Sequence, residues 1–316
     1  MRLIRTLSRN RPRPDPSALV IGNFDGCHLG HQALIKRMHA LAGTQGLVPA
    51  MMCFEPLPVT FFNPNSPVAR LMSVRDKIQR VQKLGVQQLL MLRFHKSFSM
   101  LSPEEFVTEA IIQGAGASEV IVGEDFRFGH RAVGDVELLT ALGKRHGFEV
   151  HPISAVQAFG ERISSTRVRE MLAAGDLEGA QTLLGRPYTI SSRVLRGQQL
   201  GRELGYPTVN LRPPVPPALH GIFAVRVSAS SNVGIQGHPG VASLGMRPMV
   251  DGRDWLLEVH LFDYDGQLYG EHLSVEFVGF VREEKTFESL DAMTEEMHRD
   301  AVKARAMLGN DQRAKT

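Results

Sequence analysis

Two histidines, His28 and His31, stand three apart in the stretch Gly22-Asn23-Phe24-Asp25-Gly26-Cys27-His28-Leu29-Gly30-His31. If the turn between them is helical, they share one face and can both donate to phosphate oxygens. Glycines 22, 26 and 30 let the backbone come close to a ligand, and a helix starting near Leu29 aims unpaired N–H groups at the same place. That combination suits an anion. A metal pair or a surface histidine cluster would also place two histidines together, but no third ligand follows at zinc spacing.

Further candidates lie downstream. Ile163-Ser164-Ser165-Thr166-Arg167-Val168-Arg169 puts three hydroxyls at a helix start with Arg169 one turn in, a set able to hold a triphosphate, or simply to cap a helix. Gly123-Glu124-Asp125-Phe126-Arg127-Phe128-Gly129-His130 offers a carboxylate, aromatic rings and a cation between glycines, a composition suited to a ring and phosphate pocket. Phe54-Glu55-Pro56-Leu57-Pro58 reads as a strand end with a rigid bend, or as an ordinary turn. In Gly201-Arg202-Glu203-Leu204-Gly205-Tyr206-Pro207-Thr208-Val209-Asn210, glycines flank a turn, and Thr208 and Asn210 point the same way on an extended segment. Their two oxygens suit a ligand or Mg²⁺. Glu258 is a carboxylate in the apolar run Leu256-Leu257-Glu258-Val259-His260-Leu261. With strict alternation it shares a face with Leu256 and His260 and looks either to solvent or into a barrel mouth. Facing a ligand, it could take the proton of a hydroxyl attacking a phosphate.

These groups must be positioned by two kinds of framework. From Ala18 to His151 short apolar runs alternate with helical stretches: strands at 18–22, 48–54, 88–92, 119–122 and 148–151, helices near 29–42, 73–84, 102–113 and 136–145. Alternation of this kind predicts a parallel sheet covered by helices, with ligands bound beyond the carboxyl ends of the strands. The segments Gly22–His31, Phe54–Pro56 and Gly123–Gly129 fall at such ends and are expected to converge. Leu3-Ile4 can pair at a sheet edge, and Ser102-Pro103-Glu104-Glu105 reads as a helix start with a capping-box glutamate. After a short helix ending at Leu184-Gly185, the pattern changes at Arg186-Pro187. Runs at 188–195, 222–228, 241–244, 256–262 and 273–281, separated by turn residues, predict an antiparallel barrel, followed by one helix over 286–308. The Pro-rich segment 212–217 is a stiff connection, Ser228–Gly240 a polar loop with freedom to move, and Asn310–Thr316 a fraying end. The domains expected are 1–185 and 186–316.

Composition narrows the class. The chain has 316 residues, 43% of them hydrophobic and 22% charged, enough for two globular domains. A net charge of +3 is too mild to argue for nucleic acid, and small anionic substrates account for it. With two cysteines, Cys27 and Cys53, a disulfide framework is excluded. Five arginines precede Pro14, superficially like a transit peptide, but the first core strand follows within a few residues, so a solvated basic lead-in is expected. No apolar run is long enough to span a membrane, no secretory segment is present, and a cytoplasmic protein is expected. Nothing in the pattern fixes an oligomeric state.

The H-x-G-H pattern resembles the signature of nucleotidyltransferases. It differs from Walker A, since the Gly143-Lys144 pair runs into Arg145, and no G-x-G-x-x-G is present. Taken in order, G-N-F-D-G-C-H-L-G-H-Q, F-E-P, V-G-E-D-F-R-F-G, I-S-S-T-R-V-R, L-L-G-R-P-Y, G-R-x-L-G-Y-P-T-x-N, S-L-G-x-R-P and E-V-H-L-F-D-Y-D-G-x-L-Y-G resemble the bacterial bifunctional riboflavin kinase/FAD synthetase family from about Leu19 to Met307. The resemblance implies an α/β fold: an N-terminal Rossmann-like nucleotidyltransferase domain with a parallel sheet, then a C-terminal antiparallel β-barrel riboflavin kinase domain with a terminal helix. It implies that ATP phosphorylates riboflavin to FMN in the barrel and adenylylates FMN to FAD in the first domain, releasing pyrophosphate.

By the same resemblance, the catalytic residues are Glu258, His28 and His31. The adenylylating ATP is expected on Gly22, Asn23, Phe24, Asp25, Gly26, His28, His31, Ser164, Ser165, Thr166 and Arg169, and FMN on Phe54, Pro56, Pro58, Asp125, Phe126 and Phe128. The kinase site is expected at Gly201, Gly205, Pro207, Thr208, Asn210 and Glu258, with Mg²⁺ near Thr208 and Asn210. Departures from the family pattern are Leu57 for His, Cys53 for Thr, Cys27 for Val, Val209 for Ala and Met249 for Thr.

Overall fold

The computed structural model describes residues 1–7, 14–195, 206–231, 234–249 and 252–314. Its contacts divide the chain into two compact units, Met1–Val68 with Lys77–Ser164, and Ala69–Asp76 with Ser165–Thr316.

In the first unit, β1 (Arg2–Ile4), β2 (Ser17–Ile21), β3 (Val48–Glu55), β4 (Gln88–Arg93), β5 (Ala117–Gly123) and β6 (Glu149–Ile153) form one sheet in the order β1-β4-β3-β2-β5-β6. Every pairing in it is parallel. The run Ser17–Ile21 is buried at all positions because β2 lies in the middle of the sheet with both faces covered. Leu3 and Ile4 pair at the edge with Leu89 and Leu90. A two-stranded hairpin, β7 (Gln157–Ala158) with β8 (Glu161–Arg162), was not anticipated from the sequence, where its short strands carry no periodicity.

Helices α1 (Leu29–Gln45), α2 (Pro58–Phe62), α3 (Val74–Lys83), α4 (Lys96–Ser99), α5 (Pro103–Phe106) and α6 (Val136–His146) connect the strands. Helix α1 ends on Gly46 at φ 65 and α6 on Gly147 at φ 82, left-handed positions that a side chain would strain. The Ser102–Glu105 capping box is formed in both directions, Glu105 N–H to Ser102 Oγ at 3.2 Å and Ser102 N–H to Glu105 Oε2 at 2.8 Å. Beyond α5 the chain winds as a π-helix over Val107–Gly114, which turns Val107, Ala110 and Ile111 into the core.

The second unit contains α7 (Ser165–Ala173), α8 (Leu177–Leu184), six strands and a terminal helix. Strands β9 (Thr189–Leu195), β10 (Val209–Leu211), β11 (Gly221–Ala229), β12 (His238–Met249), β13 (Gly252–Leu261) and β14 (His272–Arg282) close into a barrel in the order β10-β13-β12-β11-β14-β9. Leu257, Val259, Val225, Val227, Val275 and Phe277 fill it. Helix α9 (Leu290–Ala314) packs outside, where Ala301, Ala304 and Leu308 meet Ala224 and Phe262. It starts later than expected from the sequence, because 284–287 line the barrel cleft instead, and it runs to Ala314, into the segment expected to fray. The polar loop expected over Ser228–Gly240 is shorter, since β11 runs to Ala229 and β12 begins at His238. Helices α7 and α8 group with the barrel, and a Cβ at Gly175 would lie 3.2 Å from the ring of Phe280 on β14.

Candidate active sites

In the first unit, the turn after β2 is built from strained backbone. Phe24, Gly26 and Cys27 have φ of 51, 82 and 45, and two of these three are not glycine, a concentration that points to function. Phe24 and Cys27 are fully buried and anchor it, and Asp25 is buried with them. Lys77, fully buried on α3, donates from Nζ to the Asn23 carbonyl at 2.9 Å, so a cation sits beneath the turn.

His28 caps α1. Its Nδ1 accepts the His31 backbone N–H at 3.3 Å, which leaves Nε2 as the ring's donor. The rings of His28 and His31 stack at 3.6 Å between centroids and 16° between planes, so the shared face expected from the spacing is formed. Gly30 makes room for this: a Cβ there would lie 3.1 Å from the His28 ring. Burial first, then the neighbouring His28, Lys77 and Arg162, hold the His31 pKa well below its ordinary value. His31 is therefore neutral at pH 7, and its Nδ1 is buried without a hydrogen-bond partner. Such a pair can bind an anion by donation from its ring nitrogens over a cationic floor. Arrival of negative charge would raise the His31 pKa and favour its protonated form.

The strand ends that should converge do so, because β3, β2 and β5 are neighbours in the sheet. Phe54 and Phe128 both pack on Phe106, at 6.5 and 5.6 Å between centroids, and Phe126 stacks on Phe128 at 5.7 Å. Phe54 and Phe128 are largely core residues, so only Phe126, half-buried, offers much of its ring. Pro56 and Pro58 flank buried Leu57, which caps α2. Asp125 forms a bidentate ion pair with Arg162 at 2.7 and 2.9 Å. Those hydrogen bonds, against partial burial, hold the Asp125 pKa below the usual carboxylate range.

In the second unit, Arg169 on α7 donates from Nε to the Ala69 carbonyl at 2.6 Å, and Thr166 is exposed. Gly201 and Gly205 lie outside the described residues. A cleft of about 860 Å³ opens on the outer wall of the barrel, between β12, β13, segment 282–287 and α9. Leu257, Val259 and Leu261 turn inward, so Glu258 and His260 face outward into this cleft. Glu258 thus looks neither to open solvent nor into a barrel mouth. The register places Asn210, Glu258 and Ser243 side by side across β10, β13 and β12. Thr208 also lines the cleft, and the Pro207 carbonyl lies 2.9 Å from His260 Nδ1. Ile222, Val241, Phe287, Met293 and Met297 supply an apolar part.

Arg247 is the charged centre of the polar part. Its Nη1 donates to Glu284 Oε1 at 2.7 Å, and its Nη2 lies 3.3 Å from Ser243 Oγ and 3.5 Å from Glu258 Oε2. Burial disfavours its charge, but Glu284 and then Glu258 hold its pKa above the ordinary value.

Residues 10–167 match the family model for FAD synthetase and residues 184–308 that for riboflavin kinase. Over 312 residues the chain is 41% identical to the bifunctional riboflavin kinase/FMN adenylyltransferase of Pseudomonas fluorescens, covering 97% of this chain and 98% of that protein. The protein of the same description from Escherichia coli K12 is 38% identical over 98% of both chains. The chain belongs to the bifunctional riboflavin kinase/FMN adenylyltransferase family.

A solved structure from Streptococcus pneumoniae, described as a macrolide-efflux protein, shares the fold with a TM-score of 0.81 and 27% identity, covering 95% of this chain and 97% of that one. Among the described residues here, no helix is long and apolar enough to cross a membrane. In this family member, sequence reasoning overlooked Lys77, Arg162, Arg247 and Glu284. Lys77 sits in a polar amphipathic helix where a lysine reads as solvated. Arg162 ends a two-residue hairpin strand without periodicity, and Glu284 lies in the charged run Arg282–Lys285, indistinguishable from a surface. Arg247 was signalled only by its place in S-L-G-x-R-P.

Proposed function

We propose that the chain makes FMN from riboflavin and ATP in the barrel cleft and converts FMN to FAD with a second ATP at the histidine turn. The observation that carries the kinase half is the position of Glu258, a carboxylate facing a cleft large enough for a flavin beside Thr208. In the first reaction, Glu258 accepts the proton of the ribityl 5′-hydroxyl as that oxygen bonds to the γ-phosphorus. The bond from the γ-phosphorus to the bridging oxygen breaks and ADP leaves. The apolar part of the cleft suits the flavin ring, and its polar part suits the ribityl chain and phosphates. Gly201, Gly205 and Pro207 complete this site in the proposed reading.

Thr208 and Asn210 fit Mg²⁺: both offer neutral oxygens on the side of the barrel that carries Glu258, and Mg²⁺ bound between phosphates takes few protein ligands. Held there, Mg²⁺ would neutralise phosphate charge.

In the second reaction, an FMN phosphate oxygen attacks the α-phosphorus of ATP and pyrophosphate departs. His28 and His31 orient the phosphates and stabilise charge on them by hydrogen bonding, and Lys77 supplies fixed positive charge nearby. Gly22, Asn23, Phe24, Asp25 and Gly26 form the cradle, and Ser164, Ser165, Thr166 and Arg169 are further proposed ATP contacts by their motif positions. FMN is assigned to Phe54, Pro56, Pro58, Asp125, Phe126 and Phe128. The division of labour is proposed to fall at Gly185/Arg186, and the location to be cytoplasmic, where ATP is supplied.

Chromatography of flavins tests the reading. The full chain with riboflavin, ATP and Mg²⁺ should give FMN and then FAD, and with FMN in place of riboflavin it should give FAD. Riboflavin left unconverted, or FMN left unchanged in the second mixture, would remove the corresponding half.

A further inference from the structure

The kinase cleft holds a second carboxylate that the reaction does not consume. Glu284 reaches over Gly245 on β12, where a Cβ would stand 2.1–2.3 Å from the carboxyl atoms of Glu284. Glycine at 245 is what leaves that position open. Glu284 takes the short contact of Arg247, 2.7 Å at Nη1, whereas Glu258 Oε2 lies 3.5 Å from Nη2. Ser243, beside Glu258 in the strand register, holds the same Nη2 at 3.3 Å. Arg282 and Lys285 also border the cleft, but their short contacts are to Asp300 and Glu296 of α9, at 2.6 and 2.9 Å.

We infer that Arg247 is a positioning residue for Glu258, and that Glu284, seated over Gly245, holds Arg247 at the distance where it orients Glu258 without locking it in a direct bidentate pair. The inference rests on Glu258 being the base. A carboxylate gripped by both arms of a guanidinium is a poor proton acceptor, because the charged form is over-stabilised. One left without a neighbour wanders through rotamers, and misplacement by an ångström is costly to transfer between positioned groups. Glu284 avoids both outcomes by engaging one arm of the fork, so that Glu258 keeps one oxygen directed by the other arm.

Steady-state kinetics on the full chain tests this with Arg247→Met, Glu284→Gln, Gly245→Ala, the Arg247→Met/Glu284→Gln double variant and Glu258→Gln. Gly245→Ala displaces Glu284 by crowding only the end of a flexible side chain, so it perturbs the arrangement without removing a charge. Arg247→Met should lower kinase kcat by about tenfold or more with KM for riboflavin and ATP within about threefold, the mark of an interaction used in the transition state. Glu284→Gln and Gly245→Ala should each lower kcat by a smaller factor. The double variant should be no worse than Arg247→Met, since both act through one contact. FMN adenylylation should stay within about twofold throughout. An unchanged kcat in Arg247→Met, a rise in KM alone, or multiplying losses in the double variant would overturn the inference. Loss of turnover in Glu258→Gln alongside an unaffected Arg247→Met sinks the positioning role alone, whereas full turnover in Glu258→Gln sinks the base assignment and the inference with it.

Discussion

The turn at His28–His31 and the cleft at Glu258 are both read as ATP sites, yet they present opposite chemistry. Around the turn stand two stacked imidazoles, a buried ammonium and the Arg162 guanidinium. On the cleft wall a carboxylate stands near neutral oxygens, with a guanidinium largely engaged elsewhere. The acceptors explain the contrast. A hydroxyl must lose a proton to become a nucleophile, so a base is required. The phosphate of FMN is already an anion, so the demand there is to neutralise two repelling anions and steady the departing pyrophosphate. Proton removal and charge neutralisation call for different side chains, and in the proposed reading the two units supply them separately.

The sharpest way to break that comparison is Glu258→Gln, which keeps shape and removes basicity. Riboflavin phosphorylation should fall by about 10²–10⁴-fold, while FAD still forms from added FMN at the native rate. Equal loss in both assays would show that the carboxylate is not specific to the hydroxyl reaction. Next in size is the His28→Ala/His31→Ala pair, for which FMN adenylylation should drop by about 10²–10³-fold and the kinase should be spared, measured by the same flavin chromatography. Kinase loss in that variant would mean that the turn supports more than its own site.

Lys77→Met tests whether the cation under the turn matters. Its Nζ bonds the Asn23 carbonyl, so removal leaves a buried acceptor unpaired at about 1–3 kcal/mol. Slower adenylylation and a lower urea midpoint for the unfolding of the first unit are expected, with kinase kcat unmoved. Native stability or native adenylylation in this variant would count against the role given to Lys77.

The smallest effect concerns pH. The native His31 pKa is depressed, first by burial, whereas the unfolded chain titrates near its ordinary value of about 6.5. As pH falls through that value, the unfolded state takes up a proton that the native state refuses, so stability present above it is lost progressively down to the native pKa. Proton NMR of the ring should show a midpoint well below the ordinary value, and His31→Gln should remove this part of the acid loss. A normal midpoint would mean that the ring is not held neutral by its surroundings, and addition of ATP should raise it.

Much of both sites was legible as text because local chemistry repeats locally. The helix start at Ser102-Pro103-Glu104-Glu105, the edge pairing of Leu3-Ile4 and the stacked face of His28 and His31 need only a few adjacent residues. Alternation placed Glu258 and His260 on one face of β13 but left open which face it was. Phe54 and Phe128 carry a packing role that the sequence leaves open, because aromatic residues at a strand end serve packing and binding alike.

The order of strands and helices, the change from alternating helices and strands to barrel strands and the residue types able to accept a proton or meet a phosphate were fixed by the amino-acid sequence, since periodicity and turn chemistry act over a few residues. Tertiary structure decided what depends on distance across the chain. Barrel closure and the segment 282–287 turned the outer wall beside Glu258 into a cleft. Packing sank Lys77 beneath Asn23, and Gly245 gave Glu284 its place beside Arg247. Those contacts join residues many positions apart, and their energies depend on burial and separation, neither of which a one-dimensional pattern contains.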